Sequence, residues 1–197
     1  MPGTVLLDRI TLAQIAGLAP LHGAGNGQGI EVDIGAGKGR FLLARARNHP
    51  ATLFLGIERQ VGRTLRVAGR AERSCLANVR LVRLDALYVL EHLLPPNSVA
   101  TFYLFFPDPW PKRRHHGRRL VCEQFLDAVW RALLSGGCLH VATDDGVYFD
   151  EIAGCLRRDG RFRPVEPFVP SAEEATDFER TFAALGRSAH RLSVAKA

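Results

Sequence analysis

The chain has 197 residues, 47% of them hydrophobic and 23% charged, with a formal net charge of +6. That length suits one domain with a full core, and the composition excludes wholesale disorder, collagen-like repeats and low-complexity scaffolds. Lysine stands only at Lys38, Lys112 and Lys196 among 26 cationic residues; the rest are arginine. The planar arginine fork suits phosphate, so the basic balance meets the first criterion for a nucleic-acid binder.

Residues 1–29 are weakly patterned, an N-terminal extension ending in the glycine-rich stretch 23–29, which is expected to be flexible. No basic, apolar and small-residue series opens the chain, so no signal peptide is expected. The longest apolar run, 99–106, is far too short to span a bilayer. Strand-like runs at 30–34, 53–57, 79–84, 99–106 and 138–143 alternate with helix-like segments at about 38–48, 59–75, 86–93, 120–134 and 146–158. This alternation predicts one α/β, Rossmann-like domain over 1–197, with a mostly parallel central sheet and helices on both faces. Ser135, Gly136 and Gly137 are expected to end the helix that holds Val121, Phe125, Val129 and Leu133. Pro107, Pro109 and Pro111 forbid helix directly after the fourth strand. Beyond Arg161 the pattern predicts a proline-rich loop, a short helix around 178–185 and a last strand near 189–194.

Cys75, Cys122, Cys138 and Cys155 contain no CxxC pair, which argues against a zinc ribbon or thioredoxin-type centre and fits reduced cytosolic thiols. Each is expected to be a buried small hydrophobe. The second predicted helix carries Arg59, Arg63, Arg66, Arg70 and Arg73 on one arc, opposite Val61, Leu65, Ala68, Ala71 and Cys75. That stripe reads as a solvated face or as a second contact to an RNA backbone.

In sheets of this kind ligands sit at the carboxyl ends of the strands. The first strand runs into V-D-I-G-A-G-K-G-R-F at 32–41, where Gly35, Gly37 and Gly39 permit a tight turn and a close ligand approach at a helix start. A dinucleotide fingerprint needs glycine where Arg40 stands, and a P-loop needs Ser or Thr where Gly39 stands. The spacing therefore points away from NAD and ATP, and fits a nucleoside without phosphates such as S-adenosylmethionine; a purely structural turn is the plain alternative. Glu58 follows the second strand, where a carboxylate accepts from both ribose hydroxyls, or where a helix dipole favours an acid. Asp85 follows the third, either taking an adenine amino group or capping the next helix.

The fourth strand end, F-F-P-D-P-W-P-K-R-R-H-H-G-R-R-L at 105–120, is the most specific feature. Asp108 lies between two prolines, which hold its backbone extended, and the context suggests a buried acid. Trp110 supplies a flat surface, and Lys112, Arg113, Arg114, Arg118 and Arg119 follow it. The combination suits a phosphate backbone with a base placed at the carboxylate; the alternative is a solvated basic loop. His115 and His116 have no partners at ligand spacing, so no metal site is expected.

These residues resemble the bacterial tRNA (guanine-N7)-methyltransferase family, class I S-adenosylmethionine-dependent enzymes that methylate a guanine in the tRNA variable loop, position 46 in tRNA numbering. Its hallmark is an F-P-D-P-W-P-K segment followed by basic residues, here at 106–119. The glycine motif at 33–39, Gly56-Ile57-Glu58, Asn78-Val79 with Asp85-Ala86, Thr143-Asp144 and a T-x-x-E signature at 176–179 also match. The resemblance implies cofactor contacts at Asp33, Gly35, Gly37, Glu58, Asp85 and Asp108, with Asp108 as the catalytic group. It implies substrate contacts at Lys112, Arg113, Arg114, Asp144, Thr176, Phe178 and Glu179. It further implies a cytoplasmic monomer or homodimer whose partner is tRNA, with no membrane and no metal. The T-x-x-E signature is also an ordinary capping box. Asp33 stands where the family usually has Glu, Gly117 where lysine is common, and the N-terminal part lacks the arginine-rich arm of many members. A methyltransferase of the same fold acting on another RNA site, and a non-catalytic RNA-binding homologue, are the alternatives.

Overall fold

The computed structural model describes Leu6–Leu7 and residues 30–197. Apart from that short strand, the expected extension over 1–29 and its flexible stretch lie outside the described residues. The first half runs β1 (Leu6–Leu7), β2 (Ile30–Ile34), α1 (Arg40–Asn48), β3 (Phe54–Ile57), α2 (Val61–Arg73), β4 (Val79–Val82), α3 (Ala86–His92) and β5 (Val99–Phe105). A 3₁₀ turn (Arg113–Arg118) follows, then α4 (Glu123–Ala132), β6 (Leu133–Thr143), α5 (Gly146–Asp159), β7 (Phe162–Val165), α6 (Asp177–Ala184) and β8 (His190–Lys196).

The strands form one sheet in the order β1-β4-β3-β2-β5-β6-β8-β7. All pairs up to β6 are parallel, while β8 lies antiparallel between β6 and β7. The expected mostly parallel α/β sheet is thus the observed one. Period-two alternation splits each central strand between two cores. On β5, Phe102 and Leu104 face a cluster with Val89 and Leu90 of α3, Phe125 and Val129 of α4, and Ile152 of α5. Tyr103 and Phe105 face the other way, against Phe41 of α1. Leu42, Leu43, Val67 and Ala71 of α1 and α2 close that second face over Phe54 and Leu81.

Four expectations are corrected. The fourth helix ends at Ala132, and the chain enters β6 at once through the fully buried Leu133. Ser135, Gly136 and Gly137 lie in a bulge, where pairing jumps from Val99↔Leu133 to Thr101↔Cys138 and Gly136 takes φ 74°. The proline-rich segment contains β7, which tolerates Pro164 because it lies at the sheet edge. None of the four free cysteines is buried: Cys75 is exposed beyond α2, and the others are half-buried. Helix α2 buries Thr64, Val67, Ala68 and Ala71, which leaves Val61 and Leu65 48% and 55% exposed. Its rotation is set by Val67, which packs where a side chain on Gly39 would otherwise sit.

Candidate active site

Because β2 to β6 are parallel, the acids at or just beyond their carboxyl ends all reach the same edge of the sheet. The lateral order is Asp85, Glu58, Asp33, Asp108, Asp144, with the strand order reversing between β2 and β5. Such a switch point is where open α/β sheets bind ligands.

The glycine turn is built on the end of β3. Gly35 and Ala36 donate their amides to the Ile57 carbonyl at 2.8 and 2.9 Å, and Gly37 donates to Glu58 Oε2 at 3.0 Å. Gln60 donates to the other oxygen of Glu58 at 2.7 Å. Two backbone amides therefore aim this buried carboxylate while leaving it lone pairs for further donors. Gly39 precedes α1 at φ 71°, and a Cβ there would lie 2.4 Å from Val67. That contact requires glycine.

Asp33 is buried beside Glu58, and among the described residues nothing donates a hydrogen bond to its carboxyl group. Burial, and after it the charge of Glu58, pushes its carboxyl up to about 7. A buried acid without a donor is costly, and a ligand ammonium group would relieve it. Around Gly35 nothing lies within 4 Å of an added Cβ, so a ligand can approach the backbone there. An aimed carboxylate, an unpartnered acid and an open turn together fit a ligand with ribose hydroxyls and an amino group.

Asp85 is exposed and caps α3, accepting from the Tyr88 amide at 3.3 Å through one oxygen. Asp108 is exposed, against the expectation of burial, because the chain leaves the sheet at Phe105. Its side chain makes no hydrogen bond or ion pair among the described residues. Two non-glycine residues at positive φ bracket it: Phe106 at 53° and Trp110 at 45°. Both are held from outside. Phe106 stacks on Phe178 and packs on Phe182, at ring distances of 5.5 and 5.6 Å. Trp110 meets the edge of His115 and lies 5.1 Å from the Arg118 guanidinium.

Lys112, Arg113 and Arg114 are exposed beside this loop, and their side chains are unpaired among the described residues. Arg119 is different. It is buried, donates to the Pro109 carbonyl at 2.7 Å, pairs with Glu151 and covers the Tyr148 ring. It struts the loop and is not available to phosphate, a correction to the basic run. Of the pair after β6, Asp145 caps α5 by accepting from Tyr148 at 2.8 Å, which leaves the Asp144 side chain unengaged. Thr176 and Glu179 form the full capping box of α6, and Glu179 also pairs with Arg191. Phe178 remains 58% exposed.

Sequence reasoning missed the side chains that bring α6 here. Arg40, Arg45 and Asn48 of α1 all reach the segment before Thr176. No local signal marks them, because their partners lie 126 to 135 positions away. Among the described residues no group of three or more His, Cys, Asp or Glu could hold a metal ion, and no helix is long and apolar enough to cross a membrane.

The sheet, its two helical layers and the acids at its switch point define the Rossmann-like fold of class I methyltransferases. The 30S ribosomal A1408 methyltransferase from an uncultured bacterium superposes with a TM-score of 0.65 at 15% identity, over 97% of this chain and 95% of that one. A SAM-dependent O-methyltransferase from Thermotoga maritima does so with a TM-score of 0.58 at 18% identity, over 100% and 68%. Residues 28–192 match the family described as "Putative methyltransferase". The tRNA (guanine-N(7)-)-methyltransferase of Halorhodospira halophila is 38% identical over 82% of this chain and 72% of its own. That of Leifsonia xyli is 41% identical over 80% and 71%. The chain belongs to the tRNA (guanine-N7)-methyltransferase family.

Proposed function

We propose that this chain transfers a methyl group from S-adenosylmethionine to N7 of a guanine in the tRNA variable loop, at position 46. The observation that carries this reading is the 38–41% identity to curated tRNA (guanine-N7)-methyltransferases over about four-fifths of the chain. When bound, S-adenosylmethionine supplies an electrophilic methyl group on a sulfonium. Glu58, aimed by the Gly37 and Gln60 amides, would accept from the cofactor's ribose hydroxyls. Asp33 would hold its amino group, Gly35 and Gly37 would let it approach the protein backbone closely, and the second oxygen of Asp85 would accept from the adenine amino group.

Guanine N7 carries a lone pair and no proton, so no general base is required. Transfer would form the N–C bond from that lone pair as the S–C bond breaks, leaving the bonding electrons on sulfur and the base cationic. The chemistry is then mostly in-line positioning. Asp108, between the cofactor acids and the basic loop, orients the guanine through its Watson–Crick edge and offsets the charge developing on the ring. Lys112, Arg113 and Arg114 engage phosphates, while Asp144, Thr176, Phe178 and Glu179 form the acceptor side of the site. The free cysteines suit a reducing, cytoplasmic setting, and the proposed enzyme acts as a monomer or homodimer.

The test is transfer of labelled methyl to unmodified tRNA by wild type and Asp108→Ala, with the modified nucleoside identified. Wild type is expected to form 7-methylguanosine in the variable loop, and the variant to lose on the order of 10²–10³ in rate. Methylation of another RNA position, or cofactor binding without any methylated guanine, would refute the reading. Near-normal turnover by the variant would remove the role given to Asp108.

A further inference from the structure

Helix α1 begins at Arg40, directly after the glycine turn, and its side chains hold the segment that leads into α6. Arg40 Nε donates to the Ala175 carbonyl at 3.1 Å. Asn48 Nδ2 donates to Glu174 Oε1 at 3.0 Å, and Arg45 lies 3.6 Å from the other oxygen of Glu174. Arg45 is in turn rooted in the sheet, donating to Glu31 Oε2 at 3.1 Å and to the Tyr103 hydroxyl at 3.2 Å. Glu174 is only 5% exposed, and a carboxylate so buried is strongly destabilising unless it is paired. Among the described residues its side-chain partners, His49 at 3.8 Å included, all come from α1 or the residue that ends it. Glu174 and Ala175 immediately precede Thr176, which opens the capping box of α6. The start of α6 therefore cannot move relative to the glycine turn without breaking these bonds.

We propose that Arg40 and Glu174 are positioning residues that latch the acceptor side of the site to its cofactor side. They fix the 176–179 segment to the helix leaving the glycine turn, and so set the register between acceptor base and methyl donor. The inference rests on the function proposed above. In-line transfer makes register matter, since a misplacement of about 1 Å can cost roughly 10²-fold in rate.

The experiment compares wild type with Arg40→Ala, Glu174→Ala and Glu174→Gln by three readouts. These are S-adenosylmethionine affinity by calorimetry, kcat and KM for tRNA at saturating cofactor, and amide hydrogen exchange over 176–184 in the free protein. Both alanine variants are expected to bind cofactor within about threefold of wild type and to lose about tenfold in kcat/KM for tRNA, as for a hydrogen bond to a charged group. Exchange over 176–184 is expected to quicken in both. Glu174→Gln keeps an acceptor for Asn48 and is expected to fall between wild type and Glu174→Ala. Unchanged tRNA kinetics in both alanine variants, or an equal loss of cofactor affinity, would overturn the latch. If wild type itself makes no 7-methylguanosine, the proposed function fails and the exchange measurement alone decides the latch, with unchanged exchange overturning it.

Discussion

Replacing Asp33 with asparagine should strengthen the free fold while weakening ligand binding. Burial, and after it the charge of Glu58, raises Asp33 from its usual 3.8 to about 7. Between those values the folded protein keeps a proton that the unfolded chain has released. The folded state then binds more protons, so its stability falls as pH rises through this window. Integrated from about pH 5 to about pH 8, the single group lowers stability by roughly 2–3 kcal/mol, at about 1.36 kcal/mol for each tenfold difference in proton affinity between the two states. Asparagine is neutral throughout and lacks this slope. Urea unfolding of both proteins at the two pH values is expected to show the variant gaining on wild type by that amount at the higher one. Its S-adenosylmethionine affinity is expected to fall at least about tenfold, because a charge-assisted partner for the ligand's amino group is lost. Identical pH dependence of stability in the two proteins would refute the reasoning.

Gly39→Ala would place a Cβ 2.4 Å from Val67 at φ 71°. A loss of about 1–3 kcal/mol is expected from the strained backbone alone, and an unchanged melting temperature would show that the turn does not require glycine. Replacing Lys112, Arg113 and Arg114 together by alanine should flatten the salt dependence of tRNA binding. The slope of log affinity against log salt should drop by about 2, at roughly 0.7 per phosphate contact. An unchanged slope would mean that this loop touches no backbone phosphate.

Much of the fold was legible because its signals are local. Apolar runs alternating with helical periods identify the parallel sheet, and the strand ends locate the acids without any knowledge of packing. The glycine spacing with Arg40 in place of a third glycine separates this turn from a dinucleotide fingerprint by sequence alone. Capping is also local, so the box at Thr176 and Glu179 was readable beside its proposed substrate role. The misses fall where a neighbour rather than a pattern decides. Arg119 stands in a run of cations, yet Glu151 and Tyr148, distant in the chain, draw it inside. Asp144 and Asp145 are chemically equal, and only the start of α5 determines that Asp145 takes the cap.

The sequence by itself determined the alternation of elements, the chemistry presented at each strand end and the motifs shared with a methyltransferase family, since each depends on residue type and short spacing. Tertiary structure alone decided the rotation of α2 against Gly39, the burial of Asp33 beside Glu58 and the hold of α1 on Glu174. Those depend on which distant surfaces meet, and close packing, not periodicity, selects their partners.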